Sequence, residues 1–307
     1  MKQIYPIGKM LHEYRTRKGI SQEQLCGDIL AVSTLARIER GERRPDIKTA
    51  EYLFTKLGLA TPVGLVPMTE EAYERFCIEV QIRRKMGEGV YDVKDLLESY
   101  RTIPKEMDVL EEQFYKLHYA IYANKNGLFN SEKSREMFIE AMKLSFKSYD
   151  INMDLTGHIL SEIEIIILNN IADETYLLGE KENAIKLMMF LKDYLKNPLF
   201  ESEIKTALYS MIVFNLTNWI GLAGQYKEAL ELAEEGIEFD TTHGRLNCFP
   251  LHIFNKGYCL AMMGRKEEGK EFIDLAYKNF EVMGKHDKVV QTASEVNRLF
   301  GFDFKEN

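Results

Sequence analysis

Apolar residues recur at three- and four-residue spacing along almost the whole chain beyond residue 70. One example is the series Leu160, Ile163 and Ile167. This spacing places an apolar stripe on one side of each of many helices. No segment shows the two-residue alternation and hairpin turns that are typical of paired strands. The pattern therefore predicts an all-α chain.

Five shorter helical segments precede this region. They are predicted near residues 8–18, 22–28, 33–40 and 47–57, with a last turn around Leu59. The sequence TPVGLVPMT at residues 61–69 holds two of the seven prolines and separates the two regions. We predict a first domain over residues 1–60, a linker over residues 61–69 and a second domain over residues 70–307.

The second domain contains an internal repeat. In each copy an Asn precedes a glycine by nine residues, and the pairs are Asn170 and Gly179, Asn215 and Gly224, and Asn255 and Gly264. A small residue follows each Asn by two positions, and another follows each glycine by five. Small residues let the backbones of two helices approach, and the glycine ends the first helix. Such pairs bury their apolar faces only when copies stack on one another.

The middle copy carries the run G-x-Y-x-x-A-L at residues 224–230 and resembles the tetratricopeptide family. The resemblance covers residues 160–277 and implies a right-handed α-solenoid of tetratricopeptide-like repeats. The glycines stand farther apart than in a minimal repeat of about 34 residues. A last helical segment at residues 286–300, which includes Val289 and Val290, is predicted to cap the solenoid or to form a dimer contact.

Charge is distributed unevenly along the chain. The net charge is −8, but residues 1–66 hold 11 Lys and Arg against 7 Asp and Glu, which leaves −12 for the remainder. A basic head on an acidic body suits a head that binds nucleic acid. The four scattered cysteines predict neither zinc nor disulfides and fit the cytoplasm. No HExxH, P-loop, GxSxG or GxGxxG motif occurs, so we expect no enzyme, metal or cofactor.

Residues 20–45, ISQEQLCGDILAVSTLARIERGERRP, predict two short helices with a tight connection. Ser21 and Gln24 have the spacing of a capping box, while Gly41 and Pro45 end the second helix. Apolar residues at 25, 29, 35 and 38 can pack two crossed helices together. This arrangement places the second helix where it can enter a DNA major groove.

Three motifs in this region resemble the helix-turn-helix family of phage repressors, over residues 7–59. They are the I-G-x-x-L-x-x-x-R frame at 7–15, GISQEQL at 19–25 and RIERG at 37–41. The predicted DNA contacts are Gln22, Val32, Ser33, Thr34, Arg37, Arg40, Arg43 and Arg44. By the resemblance, Gln22 and Arg40 contact phosphates, and Val32, Ser33 and Arg37 face bases. Arg15 and Glu39 are expected to form an ion pair between the first and third helices.

The connection between the two short helices departs from the family. It is one residue shorter than the commonest version and lacks that version's glycine, and Ala36 replaces a frequent Ser. The shorter connection leaves open which of Ala31, Val32 and Ser33 meets the bases.

A helix-turn-helix head followed by tetratricopeptide-like repeats resembles the Rgg/PlcR/PrgX-type receptors for peptide pheromones. The resemblance implies a cytoplasmic homodimer that binds operator DNA and holds a short signalling peptide in the concave groove of the repeats. An Asn amide both donates and accepts, so aligned amides can hold an extended peptide backbone. The predicted peptide contacts are Asn169, Asn170, Asp173, Asn215, Asn218, Asn255 and Tyr258.

Two alternatives accompany this hypothesis. The Asn side chains can instead form hydrogen bonds within the solenoid, with no role in ligand binding. The repeats can also bind a protein partner in place of a peptide pheromone. The identity of the peptide and the operator, and the sign of regulation, do not follow from the sequence.

Overall fold

A computed structural model describes residues 6–66, 68–197, 203–285, 293 and 296–302. Within these ranges the chain contains helices and turns and no strand, which confirms the all-α prediction. The helices are α1 Pro6–Arg17, α2 Gln22–Cys26, α3 Val32–Glu39, α4 Ile47–Lys56, α5 Glu70–Gly87, α6 Lys94–Thr102, α7 Val109–Lys125, α8 Ser131–Ser145, α9 Glu162–Leu177, α10 Lys181–Lys196, α11 Glu203–Leu222, α12 Tyr226–His243, α13 Phe249–Met262 and α14 Lys266–Val282. No helix in the described ranges has the length and apolarity needed to span a bilayer.

The first four predicted helices are present, but the turn expected around Leu59 lies elsewhere. Helix α4 ends at Lys56, and Gly58 follows with a φ of +67° that turns the chain away from the helix. A short 3-10 turn over Val63–Leu65 comes next, inside the segment predicted as linker.

The chain forms two compact units, and the division between them does not fall at the predicted linker. The first unit comprises residues 1–187 and 197–205, and the second comprises residues 188–196 and 206–307. The first unit thus holds α1–α4 together with α5–α9. The domain boundary at residues 61–69 therefore stays a prediction.

Helices of the first unit begin at side-chain caps that the sequence encodes. Ser21, Asp108 and Ser161 each accept a hydrogen bond from the backbone three residues on, and the side chain at that position bonds back to the cap. These reciprocal bonds satisfy backbone N–H groups that a helix start leaves without partners. Inside the unit, Ile82, Tyr100 and Phe114 are fully buried where α5, α6 and α7 meet.

Helix α4 is joined to α5 by buried charges. The ammonium group of Lys48, on α4, donates to Glu79 on α5. Glu79 also accepts from the Tyr100 hydroxyl at 2.7 Å, and Arg83 donates to Glu51 at 2.6 Å. Burial raises the pKa of Glu79 against the opposing attraction of Lys48. The side chains of Lys48 and Glu79 are only 8% and 3% exposed. Lys48 also lies 3.3 Å from Glu51 and Glu79 lies 4.0 Å from Arg83, so the pair belongs to a network of four charges.

The repeat glycines end helices as predicted. Gly179, Gly224 and Gly264 have φ values of +88°, +81° and +88°, a conformation that residues with a side chain rarely adopt. Within the second unit, α13 and α14 approach so closely that a Cβ added at Gly257 would lie 2.6 Å from the Gly269 carbonyl oxygen. The small residues of the repeat therefore serve the close helix packing that the sequence predicted. The right-handed path of the solenoid stays a prediction.

The end of the chain packs on the second unit. Ala293, Val296 and Phe300 join the core of α13 and α14, and residues 296–300 are helical. The choice between the two roles predicted for residues 286–300, a cap of the solenoid and a dimer contact, stays a prediction. Val289 and Val290 lie outside the described residues.

Candidate functional site

The connection between α2 and α3 begins with a glycine. Helix α2 ends at Cys26, two residues earlier than predicted, and its C-cap Gly27 has a φ of +52°. A Cβ at Gly27 would come within 2.5 Å of the Tyr52 hydroxyl on α4, so a side chain is excluded for two reasons. Gly27 thus ends α2, and the departure from the family at this connection, one residue fewer and no glycine at the family's position, stays a prediction.

Helix α3 starts at Val32, with Ala31 as its N-cap. No side chain caps this end, because Ala31 has no hydrogen-bonding atom. Ala31 and Ser33 are exposed, whereas Val32 is half-buried. Of the three candidates at this end of α3, Ser33 is thus the exposed helical residue.

One face of α3 is exposed and polar. Ser33, Arg37 and Arg40 are exposed and stand four and three residues apart, while Leu35 and Ile38 are fully buried on the opposite side. Thr34 is half-buried, and Arg43 and Arg44 beyond the helix are exposed. The exposed face combines a hydroxyl with two guanidinium groups, which can bind base edges and phosphates.

Glu39 holds α3 against the preceding helices. Arg15 donates to both of its carboxylate oxygens, from Nε at 2.6 Å and from Nη2 at 3.0 Å, which confirms the predicted ion pair. His12 and Gln22 contact the same carboxylate at 3.2 and 2.8 Å. Burial favours a raised pKa for Glu39, but the hydrogen bonds from Arg15, Gln22 and His12 lower it below its ordinary value.

Gly8 permits the contact between α1 and the end of α3. A Cβ at Gly8 would collide with the carbonyl oxygen of Ile38. The glycine of the I-G-x-x-L-x-x-x-R frame is therefore a packing requirement, and it fixes the distance over which Arg15 reaches Glu39.

The predicted peptide contacts of the first unit lie on α9. Asn169 is buried, whereas Asn170 and Asp173 are half-buried. The amide nitrogen of Asn169 donates to Asp173 over 3.5 Å, and that of Asn170 donates to the Ile166 carbonyl at 2.8 Å. Both bonds lie within α9, as the alternative of hydrogen bonds internal to the solenoid predicts for these amides.

The second unit carries the remaining predicted contacts on α11 and α13. Asn215 and Asn218 are half-buried on α11, three residues apart. On α13, Asn255 is buried with its amide nitrogen unbonded, and Tyr258, also three residues on, is half-buried. Positions three apart share one side of a helix, so each pair presents two polar groups together. Asn170 and Asp173 repeat the same spacing on α9.

Comparison with known proteins identifies the head. The family described as Helix-turn-helix matches residues 11–61. This segment is a helix-turn-helix domain. No curated protein sequence matches the chain.

Two solved structures are similar over most of the chain. The structure of Bacillus thuringiensis PlcR in complex with the peptide PapR7 and DNA has a TM-score of 0.62 and 16% identity, and covers 92% of this chain and 97% of that chain. The apo form of PlcR has a TM-score of 0.56 and 17% identity, with 92% and 96% covered. At these identities the similarity establishes the fold: a helix-turn-helix domain followed by a helical repeat region.

Two predicted phosphate contacts of the helix-turn-helix domain have intramolecular partners. The Gln22 amide donates to Glu39. Arg40 donates from Nε and Nη2 to both carboxylate oxygens of Glu42, at 2.7 and 3.0 Å. Glu42 was not among the residues predicted for this site, although its place two residues after Arg40 was the available signal. A phosphate that binds Arg40 must therefore compete with a carboxylate.

Proposed function

We propose that the chain is a sequence-specific DNA-binding transcriptional regulator that a short peptide switches, as in quorum sensing. The observation that carries the proposal is the exposed face of α3, with Ser33, Arg37 and Arg40, on a helix-turn-helix domain joined to a repeat region. PlcR, whose fold is similar, has been solved with DNA and the peptide PapR7. That similarity supports the combination of the two ligand classes here.

In this proposal the residues of the head divide into two roles. Ser33 and Arg37 read base edges, with Val32 and Thr34 beside them. Arg40, Arg43 and Arg44 bind phosphates and set the position of the domain on the duplex. Gln22 forms a hydrogen bond to Glu39 within the domain and contacts a DNA phosphate near the start of α2.

The repeat helices supply the proposed peptide contacts. The contacts are Asn169, Asn170 and Asp173 of α9, Asn215 and Asn218 of α11, and Asn255 and Tyr258 of α13. Amides that both donate and accept suit a peptide backbone of any sequence, since every residue other than proline offers one N–H and one carbonyl. Apolar residues next to these amides, Phe214, Trp219 and Phe254, would select the side chains of the peptide.

We further propose that the protein acts as a cytoplasmic homodimer. Two recognition helices must lie about 34 Å apart to reach successive major grooves. A peptide shifts the equilibrium between conformations only if it binds one of them better. A conformation of the repeats that changes the separation of the heads would therefore link peptide binding to operator binding.

The test begins with an operator selected from random DNA duplexes by the purified full chain. Its affinity is then measured by fluorescence anisotropy with and without peptides retained from a random heptapeptide library. We expect a selected sequence, retained peptides and a change of affinity on adding them. Failure to select a sequence would refute the regulator, and retention of no peptide would favour a protein partner for the repeats.

A further inference from the structure

Helix α9 presents hydrogen-bond acceptors in excess over donors. The Oδ1 atom of Asn169 is buried without a donor, and the residue is only 3% exposed. The amide nitrogen of the same side chain donates to Asp173 over 3.5 Å, so the oxygen without a donor belongs to a side chain in contact with that carboxylate. A buried acceptor without a donor costs about 1–3 kcal/mol, so a ligand that supplies donors would stabilise this face.

Asp173 has charged neighbours of both signs. Glu174, the next residue on α9, accepts from Asn124 at 2.9 Å through one oxygen, while its second oxygen is buried without a donor. Lys125 of α7 is the nearby cation that opposes them, and its ammonium group lies 5.8 Å from the centre of the Tyr91 ring. Asp173 and Glu174 thus share the attraction of Lys125, which is exposed at the end of α7.

We propose that the Asn169–Asp173 face of α9 binds a cationic group of the peptide, either its N-terminal ammonium or a Lys or Arg side chain. The inference rests on the proposed function and names the class of peptide. An ammonium or guanidinium group carries only donors, and it would bond to Asp173 and to the free oxygen of Asn169. Both residues project from one side of α9, being four positions apart.

The protonation of Asp173 should then be linked to binding. Burial raises the pKa of this carboxyl to about 7, Lys125 lowers it and Glu174 raises it further. A cation binds the ionised form better, so the bound state holds fewer protons. Affinity for a cationic peptide should therefore be full above this pKa. It should fall by up to about tenfold for each pH unit below it.

Four matched heptapeptide libraries test the proposal on the purified full chain. One has a free N-terminus and one arginine at a random position, the second replaces the arginine with neutral citrulline, and the other two are the N-acetylated forms. Retained peptides are identified by mass spectrometry after gel filtration. We expect the doubly neutral library to be retained about tenfold less than the best cationic one. If acetylation lowers retention more than citrulline does, the N-terminal ammonium binds. If citrulline lowers it more, the arginine side chain binds.

Variants place the effect on this face. Asp173→Asn should abolish the preference for cationic peptides, Asp173→Glu should keep it, and the control Asp95→Asn, on the exposed side of α6, should leave it unchanged. If Asp173→Asn does not fold, the native chain still decides, since a cationic peptide must bind more weakly at pH 6 than at pH 8. Equal retention of all four libraries would overturn this inference alone. Retention of none would overturn the proposed peptide binding itself.

Discussion

Arg37 is the central exposed side chain of α3, between Ser33 and Arg40 on one face. A guanidinium group can donate two parallel hydrogen bonds to a guanine edge, which few other side chains can do. Leu35 and Ile38 hold the opposite side of the helix in the core. Arg37 is therefore free to extend towards a base in the major groove.

Replacing Arg37 with alanine should weaken operator binding by about 1–3 kcal/mol, or roughly 5- to 150-fold. Specificity should be lost at one base pair, because other contacts remain. Anisotropy titrations against the selected operator and its single-base variants measure both effects. Arg84→Ala, which removes an exposed arginine of α5, is the control and should bind as the native chain does.

The carboxylate of Glu39 is a second single-residue determinant, and it acts on stability. Glu39→Gln should destabilise the head by about 1–3 kcal/mol, because Arg15, half-buried, then keeps its charge without a carboxylate. The control Glu13→Gln alters an exposed carboxylate of α1, 3.7 Å from Lys9, and should change stability little. Urea unfolding of the three proteins at pH 7 gives the comparison.

Acid should reduce the difference between Glu39 and its Gln variant. The pKa of Glu39 is lowered in the folded protein, while an unfolded glutamate has a pKa of about 4.3. The stabilisation is therefore complete above the unfolded pKa and is lost as the pH falls through the lower folded value. If the difference in stability between the native protein and Glu39→Gln does not change on acidification, this role of Glu39 is contradicted.

At the scale of elements, the pairing of α13 with α14 depends on two glycines. A Cβ at Gly269 would lie 2.6 Å from the Gly257 carbonyl oxygen and 2.8 Å from the Ala261 backbone nitrogen. Backbone atoms cannot move aside as a flexible side chain can. The two helices must separate to admit even a methyl group.

Gly269→Ala should therefore lower the stability of the second unit by about 1–3 kcal/mol. Gly87→Ala is the matched control, since Gly87 ends α5 with open space around it. Alanine is the better helix former, so that variant should be neutral or more stable by up to about 1 kcal/mol. Calorimetric melting temperatures that fall equally in both variants would rule out the close approach as the cause.

At the scale of the whole molecule, the head is attached to the repeat helices of the first unit by charge. Lys48 of α4 and Glu79 of α5 are buried together, and Tyr100 of α6 donates to the same carboxylate. A buried ion pair contributes less to net stability than to the choice of one arrangement, because its charges lose their hydration. Its role here is to hold α4 in one position on α5 and α6.

Removing one charge tests that attachment. Lys48→Met should cost up to about 5 kcal/mol, since Glu79 stays buried after losing its nearest cation and only Arg83, 4.0 Å away, remains. Combining it with Glu79→Gln should recover most of the loss, because the neutral amide still accepts from Tyr100. Hydrogen exchange should show faster opening of α4 and α5 in the single variant than in the double one. If the loss of stability in the double variant equals the sum of the losses in the two single variants, Lys48 and Glu79 are not coupled.

Several parts of the head follow from local sequence. Ser21 and Gln24 form the capping box that their spacing predicted, and Arg15 reaches Glu39 as the motif implied. The capping box depends only on two residues three positions apart, and the ion pair was implied by the resemblance to helix-turn-helix motifs. The contact between Gly27 and the hydroxyl of Tyr52, a residue 25 positions along the chain, was not predicted. Such distant contacts leave no local pattern.

The sequence by itself determined the helical class, the repeat and the helix-turn-helix domain, because periodicity, caps and turn glycines act over a few residues. Only the tertiary structure decided what each polar side chain contacts. It gave Arg40 a carboxylate partner in Glu42 and buried Lys48 against Glu79. It also left the Asn169 oxygen without a donor beside Asp173. Burial and charge pairing are properties of segments brought together by folding, so they become visible only in three dimensions.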